Sequence, residues 1–170
     1  MKVIIFLLGW FSPFVLAAQT TSSDTLDVYF FLLEDCKITQ AYTPTINTLY
    51  AQYNSETVRF VALFPNSLSN EETIAEFNAK YHLNLPLQVD ASADIAESFG
   101  VTVTPEVILY NRNKDEVLYK GRIDNMFERI GQKRRVITEH NLEDAIKAAM
   151  NGQSVSNKET TAIGCFLTYY

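Results

Sequence analysis

Two cysteines are the residues of this chain best suited to chemistry, and they lie far apart in the sequence. Cys36 follows an apolar run, residues 28–33, and stands directly before a segment with helical spacing. Backbone amides at a helix start, together with the positive end of the helix dipole, stabilise a charged sulfur. The pattern therefore predicts a reactive thiolate. Thr39 occupies the position of the resolving cysteine in a CxxC motif, so resolution would have to come from Cys165 or from an external thiol.

Three interpretations of Cys36 remain open at this point. In the first, Cys36 is a nucleophile that attacks a disulfide or is oxidised, and a second thiol resolves it. In the second, Cys36 and Cys165 form a structural disulfide, which would stabilise the fold by about 5 kcal/mol in the chain-entropy model. In the third, both thiols are free and the domain only binds another molecule. Lys37 favours the thiolate while Glu34 and Asp35 oppose it, which leaves the helix start as the main activating contribution.

A metal site receives little support from the sequence. Cys36 is the only cysteine near the first predicted strand. His82 and His140 fall in or beside predicted helices, where solvated or capping histidines are common. We therefore expect no metal and no other cofactor, since the electrons of thiol exchange come from partner thiols.

Size and charge limit the possible functions further. The chain has 170 residues, 47% of them hydrophobic, which is typical of a single domain with its own core. It carries 14 Lys and Arg against 20 Asp and Glu, a net charge of -6. Nucleic-acid binding depends on a basic stripe, which is absent from this sequence, so no nucleic acid is expected as a partner.

The N-terminus has the order of features found in a secretory signal peptide. A basic start at Lys2 precedes an apolar stretch, residues 3–11, and Ala17 supplies the small residue that precedes cleavage, with Ala18 as the alternative. The apolar stretch is shorter than the ~20 residues that span a bilayer, so no integral membrane span is expected after cleavage. Because paired cysteines are commoner in oxidising compartments, a periplasmic or secreted location also favours pairing.

These observations predict the domain organisation. We expect a signal peptide at 1–17, a disordered lead-in at 18–25, and a single domain with a C-terminal tail at 26–170.

Hydrophobic periodicity and turn residues predict alternating strands and helices. The predicted strands are 26–33, 58–64, 87–89, 105–110 and 116–119, and the predicted helices are 39–53, 70–81, 92–99 and 141–150. Pro44 should kink the first helix or mark its effective start. Ser69 should cap the second helix in a capping box with Glu72, and residues 128–135 should form a charged loop. The order of elements predicts an α/β fold, with a mixed sheet covered by helices on both faces and an antiparallel hairpin at its edge.

The order and motifs resemble the thioredoxin-fold redoxins, the superfamily of thioredoxin-like and AhpC/TSA-like proteins. The likeness is greatest to secreted bacterial redoxins with a C-terminal Gly-Cys. It rests on four stretches, Cys36–Pro44, Thr104–Val107, Tyr119–Asn125 and Thr161–Cys165. The resemblance implies a thioredoxin-like fold with a cis peptide between Thr104 and Pro105 facing the Cys36 sulfur.

The resemblance also implies roles for particular residues. Cys36 and Cys165 would be catalytic, and the backbone of Thr104, next to Pro105, would contact an extended substrate. Lys37 and Thr39 would also border the substrate, although they depart from the family pattern by replacing a proline and the local resolving cysteine. A peroxiredoxin needs a threonine three residues before the cysteine, and Leu33 at that position disfavours peroxidase chemistry.

The sequence thus predicts an exported thiol–disulfide oxidoreductase-like redoxin. Its partners would be protein thiols or disulfides, or a small thiol. The alternative is a redox-inactive binding module of the cell envelope, in which a Cys36–Cys165 disulfide is only structural. The missing CxxC leaves open whether the chain is an enzyme.

Overall fold

A computed structural model describes residues 24–168 of the chain. The predicted signal peptide and most of the predicted lead-in lie outside this range. The strands within it are β1 (Leu26–Phe31), β2 (Val58–Phe64), β3 (Leu87–Val89), β4 (Val103–Thr104), β5 (Glu106–Asn111), β6 (Glu116–Gly121), β7 (Phe127–Arg129), β8 (Gln132–Lys133) and β9 (Cys165–Phe166). The helices are α1 (Lys37–Tyr53), α2 (Glu71–Tyr81), α3 (Asp94–Ser98) and α4 (Asn141–Met150).

A mixed sheet forms the centre of the domain, in the strand order β3-β2-β1-β5-β6. The β1–β2 and β2–β3 pairs are parallel, whereas β5 runs antiparallel to both β1 and β6. Alternate residues of the central strands face opposite sides, because side chains along a strand alternate. Phe30 packs in the core shared with α1, α2 and α4, and Phe31 packs in the core shared with α3. The predicted mixed sheet with helices on both faces is confirmed.

The first helix begins at Lys37, and Pro44 lies inside it. Proline has no N–H, so the carbonyl of Gln40 loses its usual helical donor. The hydroxyl of Thr43 donates to that carbonyl instead, at 3.1 Å. Because α1 begins at Lys37, Pro44 does not mark the effective start of the helix, and that alternative of the prediction is wrong.

The second helix is capped one residue later than predicted. Asn70 is the N-cap, and its side chain accepts from the backbone N–H groups of Glu72 and Thr73. The Asn70 N–H in turn donates to the Thr73 hydroxyl, which completes the capping box. Ser69 is not the cap, because its hydroxyl donates to Glu34 at 2.9 Å. The bond between Ser69 and Glu34 ties the start of α2 to the loop that carries Cys36.

Two further segments differ from the sequence-based expectation. The predicted charged loop, residues 128–135, contains most of an antiparallel hairpin formed by β7 and β8. Asp24 and Thr25, at the end of the predicted lead-in, bond to Lys114 and Asn113 in the β5–β6 turn. No helix within residues 24–168 is long and apolar enough to cross a bilayer.

Candidate active site

Cys36 lies at the junction of the first strand and the first helix. It is the N-cap residue of α1, and its carbonyl accepts from the Gln40 N–H at 2.9 Å. Its side chain makes no capping hydrogen bond and is only 2% exposed. The predicted strand-to-helix placement is confirmed, but the sulfur points into the protein instead of capping the helix.

The structure brings the two cysteines together across 129 positions of sequence. Their Sγ atoms lie 2.6 Å apart, with the Cys165 thiol donating to Cys36. Both are free thiols. The Cys36 thiol in turn donates to the backbone carbonyl of Thr104 at 3.4 Å. A hydrogen-bond chain therefore runs from Cys165 through Cys36 to Thr104.

The peptide between Thr104 and Pro105 is cis, as the family resemblance implied. Thr104 is fully buried and ends the short strand β4. β4 pairs antiparallel with β9, placing Thr104 opposite Cys165 and Val103 opposite Phe166. The N–H of Leu167 extends this pairing by donating to the Thr102 carbonyl at 2.9 Å.

Residues 158–167, here called the tail segment, are bound along their length. Near its start, Lys120 donates from its N–H to the Lys158 carbonyl at 2.9 Å, and its carbonyl accepts from the Thr160 N–H at 3.0 Å. The Thr160 hydroxyl also shares a hydrogen bond with the Tyr119 phenol. The tail segment thus runs parallel to the edge strand β6 at Lys120 before it reaches β4, which accounts for the position of Cys165.

Two glycines leave the space for this route. At Gly164, an added Cβ would overlap the Thr104 carbonyl oxygen. At Gly121, in β6, an added Cβ would overlap Thr160, and the φ of +143° also disfavours other residues. At both glycines, therefore, the tail segment lies too close to the neighbouring chain to leave room for a side chain.

Lys37 and Thr39 have local partners. The exposed Lys37 ammonium donates to the Gln40 side chain at 3.1 Å. Thr39 is fully buried, and its hydroxyl accepts from the Leu33 N–H at 3.5 Å. Neither side chain bonds to a sulfur in the described part of the chain. The structure joins Cys36, Cys165 and Thr104, whereas Lys37 and Thr39 bond to other partners within residues 24–168.

The environment of the Cys165 thiol disfavours its charged form. Burial of the Cys165 thiol and its contact with the Cys36 sulfur raise the pKa of Cys165 well above its usual value. A thiol with a raised pKa is a poor initiating nucleophile, because thiolate is the attacking species. Cys165 is therefore a poor candidate for the first attack.

A model of the AhpC/TSA family matches residues 16–120, more than half of the chain. The chain belongs to the AhpC/TSA family.

Individual proteins are also similar to this chain in sequence or in structure. The chain is 26% identical over 82 residues to the thiol-disulfide oxidoreductase ResA of Halalkalibacterium halodurans, a match covering 48% of the chain and 46% of that relative. A hypothetical protein of Sinorhizobium meliloti has a similar structure, with a TM-score of 0.74, 21% identity and coverage of 87% of this chain and 81% of that one. A secreted disulfide oxidoreductase of Mycobacterium tuberculosis aligns with a TM-score of 0.52 and 18% identity, covering 73% and 81% of the two chains. These structural likenesses establish a thioredoxin-like fold.

One residue of this AhpC/TSA-family protein near the site was not anticipated from the sequence. Glu106 follows Pro105 directly and is only 8% exposed. Burial raises the pKa of Glu106, and its Oε2 has no hydrogen-bond partner. The side chain lines a cavity of about 440 Å³ together with Lys120 and Thr160. The signal for it was a carboxylate at the start of an otherwise apolar strand.

No metal-binding arrangement accompanies these residues. Within residues 24–168, no three or more His, Cys, Asp or Glu side chains are grouped so that they could hold a metal ion. His82 is the C-cap residue of α2, and His140 is the N-cap residue of α4.

Proposed function

We propose that this AhpC/TSA-family protein is an exported thiol–disulfide oxidoreductase in which Cys36 attacks and Cys165 resolves. The observation that carries the proposal is the 2.6 Å separation of the two sulfurs beside a cis Thr104–Pro105 peptide. In a redoxin-family fold without a CxxC motif, this contact supplies the second thiol that exchange requires.

The reaction needs only thiols and disulfides. The Cys36 thiolate attacks one sulfur of a client disulfide, so that a Cys36–client bond forms, the client bond breaks, and the departing sulfur takes up a proton. Cys165 then loses its proton and attacks the Cys36 sulfur, which forms the Cys36–Cys165 disulfide and releases the second client thiol. The client gains two electrons and two protons, and the cysteine pair loses them. The reverse sequence oxidises a client dithiol.

The partners of this reaction follow from the transfer of two electrons and two protons between the cysteine pair and its client. Protein disulfides or a small disulfide accept electrons from the reduced pair, and a reducing thiol partner restores it. No cofactor is required, because the electrons stay on sulfur throughout. Thr104 and Pro105 would form the platform beside the sulfur, with the Thr104 carbonyl already in contact with Cys36. Lys37 and Thr39 would act at the border of that platform.

Export is part of the proposal. The N-terminal signal peptide predicted at residues 1–17 supports a periplasmic or secreted location, and the similarity to a secreted disulfide oxidoreductase agrees with it. Mass spectrometry of the mature protein tests this part directly. A mature chain that begins at Ala18, or at Gln19 if Ala18 is the cleavage residue, is the expected result. A chain that retains Met1 in the exported fraction would contradict it.

The central experiment measures the redox potential of the cysteine pair. Purified mature protein is equilibrated across a glutathione series, and free thiols are counted after alkylation with a mass tag. A disulfide that opens between roughly −120 and −270 mV, the range of known exchange proteins, supports the oxidoreductase. A bond that stays closed below about −300 mV supports the alternative, a binding module with a structural disulfide. Two free thiols at every potential would contradict both forms of pairing.

A further inference from the structure

We propose that the tail segment occupies the client-binding site of this protein. A client would dock there as an extended strand on β4, with a glycine immediately before its reactive cysteine. The proposal rests on the function proposed above and specifies its substrate class: protein segments of the form Gly-Cys. It also makes the tail segment and the client competitors for one strand edge.

The first observation is the pairing itself. β9 is an extended strand that places a cysteine against the Cys36 sulfur while its backbone pairs with the residues before Pro105. Leu167 extends the same register with its bond to Thr102. A client in mixed disulfide with Cys36 would have to bring its own cysteine to the same place. The most direct way to do so is to copy this strand, since an exposed strand edge binds extended peptides through backbone hydrogen bonds.

The second observation is the requirement for glycine. A Cβ at Gly164 would overlap the Thr104 carbonyl oxygen and would lie 3.0 Å from a methyl group of Val103. The obstacle is mostly backbone, which cannot rotate away as a flexible side chain can. Gly164 has no left-handed φ, so its requirement comes from space alone. Any chain that binds in this register meets the same two atoms, and a client therefore needs glycine at this position.

The third observation concerns the residue after the cysteine. Phe166 is 80% exposed, although it is the β9 partner of Val103. A client residue at this position would face solvent, so many types of side chain would fit there. Selectivity for clients is therefore concentrated on the residue before the cysteine.

Because the tail segment and the client compete for the edge of β4, resolution of the mixed disulfide is coupled to release of the client. While a client strand lies on β4, Cys165 cannot occupy its place opposite Thr104. When the tail segment returns, it displaces the client backbone and brings the Cys165 thiol to the mixed disulfide. Attack by Cys165 and departure of the client therefore take place together.

The test uses the reduced full-length mature chain with Cys165→Ser, so that the tail segment keeps its backbone but has no thiol. The probes are two peptides, Thr-Ala-Ile-Gly-Cys-Phe-Leu and the same sequence with valine in place of glycine. Each carries a pyridylthio group on its cysteine, so attack by Cys36 forms a Cys36–peptide disulfide and releases pyridinethione. Pyridylthio-cysteine alone, which has no strand, is the reference for the chemistry at Cys36.

We expect the glycine peptide to react at least about tenfold faster than the valine peptide, since a mispositioned strand lowers the fraction of productive complexes. Adding Gly164→Val to the protein should displace the tail segment and speed the glycine peptide by a similar factor. Thr161→Val, at an exposed position of the same segment, should leave the rate unchanged. Leu167→Pro provides a second route to displacement, because it removes the N–H that bonds to Thr102.

The outcomes separate the two proposals. Equal rates for the two peptides would overturn the glycine requirement while leaving the oxidoreductase intact. Unchanged rates in both Gly164→Val and Leu167→Pro, with melting curves that show a folded protein, would overturn the competition. If Cys36 releases no pyridinethione even from pyridylthio-cysteine in the displaced variants, the proposed function itself fails.

Discussion

Thr104 contacts both cysteines of the pair, with different atoms. Its backbone carbonyl accepts a hydrogen bond from the Cys36 thiol at 3.4 Å, and its hydroxyl donates to the Cys165 carbonyl at 3.5 Å. Thr104 is fully buried and is held by the cis peptide to Pro105 on one side and by the pairing of β4 with β9 on the other. The position of each sulfur therefore depends on the same residue.

Replacing one cysteine at a time should separate attack from resolution. In Cys165→Ser, Cys36 can still form a mixed disulfide, but no second thiol resolves it, so a glutathione adduct should accumulate with glutathione disulfide. In Cys36→Ser, the adduct should be scarcer, because burial, the largest cause of the raised Cys165 pKa, remains when the Cys36 sulfur is removed. Intact-protein mass spectrometry measures both. Equal adduct levels in the two variants would contradict the assignment of Cys36 as the attacking sulfur.

Glu106→Gln should make the protein more stable at neutral pH than the natural chain. Burial raises the Glu106 pKa above 4.5 in the folded state, against the opposing effects of Lys120 and the Thr102 backbone N–H. Below pH 4.5 the acid is protonated in both the folded and unfolded states, and its titration then costs no stability. As the pH rises above this value, the unfolded chain ionises first, and the folded protein loses stability until its own pKa is passed. Glutamine does not ionise and so avoids this loss.

The measurement is the difference in free energy of unfolding between Glu106→Gln and the natural protein, taken from urea titrations at several pH values. We expect the advantage of the variant to grow as the pH rises from about 4.5 towards neutrality, because the unfolded chain ionises before the folded protein does. Glu76→Gln, at an exposed position of α2, is the matched control and should show no such trend. A constant or shrinking advantage of Glu106→Gln with rising pH would contradict a raised pKa of Glu106 in the folded protein.

The elements of the sheet were predictable because their signal is local. The apolar runs at β1, β2 and β5 are long and almost continuous, as strands buried on both faces must be. The cap of α2 was missed by one residue because two adjacent residues could both serve as caps. Only the tertiary bond from Ser69 to Glu34 decides between them.

The site was predictable only where its signal is local in the sequence or comes from the family resemblance. Cys36 stood out through its local position between a strand and a helix, and the cis peptide at Thr104 followed from the family resemblance. The role of Gly164 was not visible, because the atom that excludes a side chain there belongs to Thr104, 60 residues away in sequence. Close approach between distant backbones leaves no periodic pattern in a sequence.

Asp27→Asn should lower stability without changing exchange. The Asp27 side chain is 3% exposed and bonds to Arg59 at 2.9 Å and to Arg112 at 3.0 Å. Loss of a buried charged acceptor costs roughly 1–3 kcal/mol. Asp24→Asn, which removes a more exposed pair with Lys114, should cost much less. Urea midpoints measure both costs. Because Asp27 lies at the start of β1 and Cys36 lies beyond its end, the rate of thiol exchange should stay unchanged in both variants.

Gly121→Ala should weaken the pairing of the two cysteines from a distance. The added methyl would overlap Thr160, which joins the tail segment to β6, so the segment must shift before it reaches β4. Displacing a tether lowers the effective concentration of the group it carries, and we expect the equilibrium constant for Cys36–Cys165 disulfide formation against glutathione to fall by about tenfold.

Gly131→Ala is the matched control for Gly121→Ala. Gly131 also has a positive φ, at +79°, but an added Cβ there meets no atom within 4 Å. This variant therefore also places alanine at a positive φ but creates no overlap, and its disulfide equilibrium should match that of the natural protein. The two variants are compared by counting alkylated thiols at fixed ratios of reduced to oxidised glutathione. An equal fall in both would attribute the effect to strain. No fall in Gly121→Ala would show that Cys165 reaches Cys36 without the contact between Thr160 and β6.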